Sequence, residues 1–240
     1  MRGLKRACAG EAEELEKRMA SQVFRDRKAA GQELANRLSA YRDSDAIVLA
    51  LPRGGVPVAF EVALALHAPL DVMVVRKLGV PGHEEYAMGA IASGGMRILN
   101  DAVVHELGIS TVAIEGVARA EHTELQRRER LYRGNRPPPD VRGRTVILVD
   151  DGLATGSTML VAVRALRAQQ PAHIAVAVPI AAADTCESLR SEADDVICAR
   201  TPFPFRAVGL WYQDFSQTSD EEVCTLLKLA QERRAERSAR

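Results

Sequence analysis

The sequence predicts an α/β fold, a parallel sheet flanked by helices on both faces. Three observations predict it. Short apolar runs at residues 46–51, 70–75, 145–149, 174–178 and 196–199 have the length and β-branched content of buried strands. The segments between most of them carry apolar residues at helical spacing. Two of the runs lead into glycine-rich loops, and in an open α/β sheet ligands sit at such carboxyl ends of strands.

The elements follow in order. Over residues 11–38, Leu15, Met19 and Val23, then Ala30, Leu34 and Leu38, fall near helical spacing and predict a helix. The strand at 46–51 enters the turn Pro52-Arg53-Gly54-Gly55. Ala59, Val62, Ala63 and Leu66 then stand at i, i+3, i+4 and i+7, which predicts a second helix. After the strand at 70–75, residues 76–86 contain Gly79, Pro81 and Gly82, and this polar, breaker-rich segment predicts a loop. Two short strands at 89–92 and 96–99 turn at Gly94-Gly95. Residues 111–133 predict a long charged helix, with Glu124/Arg128 and Glu129/Arg133 one turn apart, ended by Pro137 to Pro139.

The strand at 145–149 is the most apolar, and the helix behind its loop presents Met159, Val163 and Leu166 on one face. A helix near 184–191 separates the last two strands. Residues 201–215 are rich in proline and aromatics, and Ser219 to Glu222 form a capping-box signature for a final helix. The chain divides into a helical extension at 1–22, a main domain at 23–218, and a C-terminal helix and tail at 219–240.

Bulk properties narrow the function. The 240 residues are 47% hydrophobic and 27% charged, enough for a sizeable core. Basic and acidic residues balance at 32 each, so nothing electrostatic calls for a nucleic-acid or membrane partner. The arginine runs Arg127-Arg128-Glu129-Arg130 and Arg233-Arg234 are interrupted or flanked by acids and read as solvated helix surface. No stretch approaches the roughly 20 apolar residues of a membrane span. The first ten residues lack a signal-peptide apolar core. Cys8, Cys186, Cys198 and Cys224 form no C-x-x-C pair, which predicts reduced structural thiols in a cytoplasmic protein.

The chemistry concentrates at Asp150 to Thr158. A buried strand ends in two carboxylates, Asp150 and Asp151. Gly152, Leu153, Ala154, Thr155, Gly156, Ser157 and Thr158 follow, and a helix begins. Small residues let backbone N–H groups approach a phosphate, and the helix N-terminus adds a favourable dipole. Three hydroxyls add donors. Two acids beside a phosphate cradle make sense for a ligand that also presents a vicinal diol, and a ribose 5-phosphate meets both demands. No lysine follows Gly156, which excludes a Walker-type loop, and no G-x-G-x-x-G is present.

At these residues the sequence resembles the phosphoribosyl pyrophosphate (PRPP) signature of type I phosphoribosyltransferases. The resemblance spans about residues 24–212 and implies that family's fold, with a small variable hood and a flexible loop. It implies that Asp150 and Asp151 hold the ribose 2- and 3-hydroxyls while residues 154–158 bind the 5-phosphate. Arg53, Gly54 and Gly55 match the pyrophosphate loop, where the family often holds a cis peptide, here the Arg53–Gly54 bond. Arg76, Lys77, Glu84 and Glu85 match the catalytic loop of adenine-type members, the basic pair closing over pyrophosphate and a glutamate acting as acid or base. His83 is the one histidine in that loop.

The cofactor implied is Mg2+, bridging diphosphate and ribose, with Asp151 as the nearest carboxylate, directly or through water. The partners implied are PRPP, a nitrogen acceptor such as a nucleobase, and a second copy in a homodimer. Ala154 stands where hypoxanthine-guanine members carry an aspartate base, a departure from that class. Phe205, Trp211 and Tyr212, with Phe203, would give the hood a stacking face, or simply cover the sheet edge. Two other readings stay open: a PRPP- or nucleotide-sensing regulator, and a hydrolase or phosphorylase acting on a ribose phosphate.

Overall fold

A computed structural model describes residues 23–238. The first 22 residues, and with them Cys8 and the early part of the expected N-terminal helix, lie outside the described residues. Helix α1 spans Arg27–Arg37, capped by the Asp26 side chain, which accepts from the Ala29 N–H at 2.7 Å. It therefore begins later than the apolar spacing predicts. Phe24 instead lies extended and bridges to Tyr212.

Strands β1 (Ile47–Ala50) and β2 (Leu70–Val72) bracket helix α2 (Gly55–Leu66). Strand β3 (Val75–Val80), β4 (His83–Ala92) and β5 (Arg97–Leu99) follow, then helices α3 (Asp101–Glu106) and α4 (Thr111–Arg133). The second half alternates β6 (Thr145–Val149), α5 (Ser157–Arg167), β7 (His173–Ile180), α6 (Ala183–Leu189) and β8 (Asp195–Arg200). Helix α7 (Asp220–Ser238) closes the described chain, with the Ser219 hydroxyl accepting from the Glu222 N–H as the capping signature predicts.

Five strands form one parallel sheet in the order β2-β1-β6-β7-β8. Its strands bury alternate residues in opposite layers, as the two-residue period requires. Val48, Ala50, Ile147, Val149, Ala175 and Ala177 join the layer under α2, α4 and α7. Ile47, Leu49, Val146, Leu148, Ile174 and Val176 join the layer under α5 and α6. Both faces being covered explains why these strands read as continuous apolar runs. Val223 and Leu227 of α7 are buried in the first layer, so the C-terminal helix completes that core. Arg133 at the end of α4 donates to Asp71 at 2.7 Å and to the Val72 carbonyl, which fastens α4 to strand β2.

Three expectations are corrected. Residues 76–86 are not a loop. They form most of an antiparallel hairpin, β3 with β4, turning at Pro81-Gly82, where Gly82 has φ +79°. Leu78 and Val80 point inward at a strand's spacing, and this burial outweighs the breakers. The apolar run at 70–75 accordingly divides, its first part in the main sheet and Val75 in the hairpin sheet β3-β4-β5. Finally, Cys186 and Cys198 are joined in a disulfide rather than reduced. The fold lays α6 beside β8, which brings together two cysteines whose spacing carries no motif. Cys224 remains a free thiol.

Candidate functional site

The carboxyl ends of β1 and β6 meet at one point. Leu51 donates its N–H to the Val149 carbonyl at 2.9 Å, so the turn after β1 lies beside the acids after β6. A Cβ on Gly54 would lie 2.1 Å from an Asp151 carboxylate oxygen, and one on Gly55 only 2.8 Å from the Val149 carbonyl oxygen. Glycine is the one residue that lets these two loops pack. The sequence places Arg53-Gly54-Gly55 and Asp150-Asp151 about a hundred positions apart, and the fold makes them a single surface.

The acid pair is electrostatically costly. Burial, and then the neighbouring Asp151 charge, push the Asp150 carboxyl well above the ordinary carboxylate range. Asp150 accepts the Asp151 N–H at 2.8 Å. Burial raises Asp151 as well, opposed by Arg27, whose Nε donates to Asp151 Oδ2 at 2.8 Å. Arg27 also donates to the Ser216 carbonyl at 2.7 Å and lies 4.0 Å from the centre of the Phe215 ring. It thus ties α1, the acids and the segment before α7 together. Sequence reasoning missed Arg27, because its partner is 124 positions away and no local pattern marks it.

Beyond the acids, the loop is stitched to the end of β7. Leu153 donates to the Ile180 carbonyl at 2.9 Å and accepts from Ala182 at 3.1 Å. Gly152 packs under Val208 and Ile180. Gly156 caps α5 with φ +69°, a left-handed conformation suited to glycine. Ala154, Thr155, Ser157 and Thr158 are exposed, and the Thr155 and Ser157 hydroxyls lie 3.1 Å apart. The first-turn N–H groups of α5 have no intrahelical partner, so the loop and helix end form a candidate anion cradle.

The hairpin residues are arranged differently. Arg76 pairs with Glu121 of α4 at 2.7 Å, so its charge is already satisfied. Lys77 donates to the Glu85 carbonyl at 2.8 Å. Lys77, Ser157 and Thr158 nevertheless line one cleft of about 600 Å³ between the hairpin and α5, so the structure does bring Lys77 to the cradle. Glu84 and Glu85 are exposed near the hairpin tip, and Glu84 accepts from the Gly82 N–H. The Arg53 carbonyl accepts from the Val56 N–H at 3.1 Å, and its guanidinium charge acts on the Tyr132 hydroxyl of α4. The cis peptide of this loop is Pro52–Arg53, one bond before the Arg53–Gly54 bond expected, and Phe203–Pro204 is also cis.

Of the two readings of the aromatic segment, the structure takes the second for Trp211 and Tyr212. Trp211 and Tyr212 are buried, packed with Phe24, Ala30 and Ile180, and Phe205 lies partly buried against them. They cover the end of the sheet rather than offering an open stacking face. Tyr212 has a structural task at the site: its hydroxyl donates to the Asp151 carbonyl at 2.6 Å. Burial, then the Asp151 charge, push that phenol far above its usual range, so it stays a donor. The aromatic ring left at the surface beside Arg27 is Phe215, stacked on Tyr212 at 5.1 Å, and Phe203 is also exposed.

Carboxylates set between a glycine turn and a helix N-terminus, at the strand ends of an open parallel sheet, give an α/β protein with a candidate site at the topological position where such folds take ligands. The comparisons with known proteins agree. The phosphoribosyl transferase domain model matches residues 19–213, and the chain belongs to the type I phosphoribosyltransferase family. It is 46% identical over 217 residues, 90% of its length, to MT0597 and to Rv0571c of Mycobacterium tuberculosis, both provisionally named phosphoribosyl transferases. The chain spans 49% of the length of these curated relatives. The crystal structure of TT1426 from Thermus thermophilus superposes with a TM-score of 0.75 at 40% identity, covering 85% of this chain and 97% of that one. Among the described residues, no helix is long and apolar enough to cross a membrane.

Proposed function

We propose that the protein transfers the 5-phosphoribosyl group of PRPP to a nitrogen acceptor and releases pyrophosphate. One observation carries this reading: the Gly54-Gly55 turn packs directly on Asp150 and Asp151, so a diphosphate site and a ribose site share a wall. Asp150 and Asp151 accept hydrogen bonds from the ribose hydroxyls. Ala154 to Thr158 hold the 5-phosphate with backbone N–H groups and hydroxyls. Arg53, Gly54 and Gly55 receive the diphosphate, and Lys77 adds positive charge from the hairpin.

The bond from carbon 1 to the diphosphate oxygen breaks with its electron pair leaving on pyrophosphate, and a carbon–nitrogen bond forms. The acceptor's proton passes to a base, for which Glu84 and Glu85 at the hairpin tip are candidates. The protein's work is mainly positioning and charge stabilisation. Magnesium fits the residues present, since the acid pair offers the hard carboxylate oxygens this cation takes, with Asp151 the residue to hold it, directly or through water. Held by Asp151, such a cation would supply positive charge to the site.

The experiment is pyrophosphate release from PRPP in the presence of magnesium, across a panel of purine and pyrimidine bases and simple amines. Release that depends on one acceptor is the expected outcome. PRPP binding without release from any acceptor would make the protein a PRPP-responsive binding protein instead.

A further inference from the structure

The phosphate cradle is shaped from outside by a residue that belongs to neither recognised motif. Thr185 lies in α6, on the far side of the loop from the acids. Its hydroxyl donates to the Ala154 carbonyl at 2.6 Å. Its methyl group fills the space beside Gly156, where a Cβ would come within 2.7 Å of it. The two contacts address the two residues flanking Thr155, the centre of the cradle.

The hydrogen bond has a directional consequence. In a planar trans peptide the carbonyl and the next N–H point opposite ways. Holding the Ala154 carbonyl toward α6 therefore turns the Thr155 N–H away from α6. That N–H donates to no protein group among the described residues. Gly156 next adopts its left-handed conformation against the Thr185 methyl and starts α5. Thr185 is itself held in place. The next residue, Cys186, is buried and bonded to Cys198 of β8, and Ala182 at the start of α6 donates to Leu153.

We propose that Thr185 is a positioning residue that presets the cradle, aiming the Thr155 N–H at the 5-phosphate before the ligand arrives. The inference rests on the reading of residues 154–158 as the 5-phosphate site. Prearranged donors gain affinity because the loop is not ordered at the ligand's expense.

The test is calorimetric titration of ribose 5-phosphate into the wild type, Thr185→Val and Thr185→Ser, with amide hydrogen exchange of residues 153–158 measured on the free proteins. Thr185→Val keeps the shape and loses the hydroxyl. It is expected to bind about fivefold more weakly, the effect of one hydrogen bond, and to exchange faster in the loop. Thr185→Ser restores the hydroxyl and is expected to recover most of the affinity, which a general packing role for the methyl would not produce. Wild-type affinity and exchange in Thr185→Val would overturn the inference and leave the cradle reading intact. Failure of the wild type to bind ribose 5-phosphate would overturn both.

Discussion

Replacing Asp150 with asparagine is expected to make the protein more stable and a markedly weaker binder of PRPP. Burial and the adjacent Asp151 hold the Asp150 carboxyl well above its ordinary range, so the folded state carries an electrostatic cost. Asparagine keeps an oxygen to accept the Asp151 N–H and removes the charge. The expected gain is about 1–3 kcal/mol at neutral pH, roughly 3–8 °C in melting temperature for a chain of this size. The sign with pH follows from linkage. A carboxyl whose pKa is raised by folding lowers stability as pH climbs from its unfolded value toward its folded one. The advantage of asparagine is therefore present at neutral pH and disappears below about pH 4. Binding moves the other way, because an asparagine offers the ribose hydroxyls a weaker acceptor, and the expected loss of PRPP affinity is at least about tenfold. Thermal melts from pH 4 to 8 check the first part and titration calorimetry the second. A variant less stable than the wild type at neutral pH would contradict the account of the acid pair.

Removing Arg27 is expected to cost about 3 kcal/mol of stability near neutral pH, measured by urea unfolding. Both partners of the pair are largely buried, at 12% and 15% side-chain exposure, and Arg27→Ala leaves Asp151 without its cation beside Asp150. The substitution also frees the Ser216 carbonyl and the Phe215 ring. The ion pair opposes the upward push of burial on Asp151, so its contribution is present where Asp151 is ionised and fades as acid protonates it. A double substitution, Arg27→Ala with Asp151→Asn, is expected to recover about half of the loss, because the uncompensated charge is gone. Simple additivity of the two substitutions would mean that Arg27 acts through Ser216 and Phe215 alone.

The parts of the fold that were legible in the sequence are those set by local pattern. Strands covered on both faces are apolar throughout, so Thr145–Val149 and its neighbours announced themselves. Helix α4 carries its own cap at Ser110 and its own ion pairs, and its bounds match the sequence expectation. The acid pair and the loop behind it stand out as a candidate site because residue type and order alone mark them. What was missed depends on contacts between distant segments. Arg27 and Thr185 have ordinary surroundings in the sequence and acquire their roles from partners at Asp151 and Ala154. The hairpin was hidden by glycines and a proline, which serve as its turn and bulge. For Trp211 and Tyr212 the sequence leaves two readings open, because composition does not distinguish an aromatic that stacks on a ligand from one that packs on Phe24.

The measurement that bears most directly on the central claim is titration calorimetry with PRPP, with and without magnesium, on the wild type and on Asp150→Asn with Asp151→Asn. The account predicts magnesium-dependent binding to the wild type that the double variant loses while remaining folded. Magnesium-independent binding of equal strength in both proteins, or no binding to either, would contradict the assignment of the acid pair to the ribose.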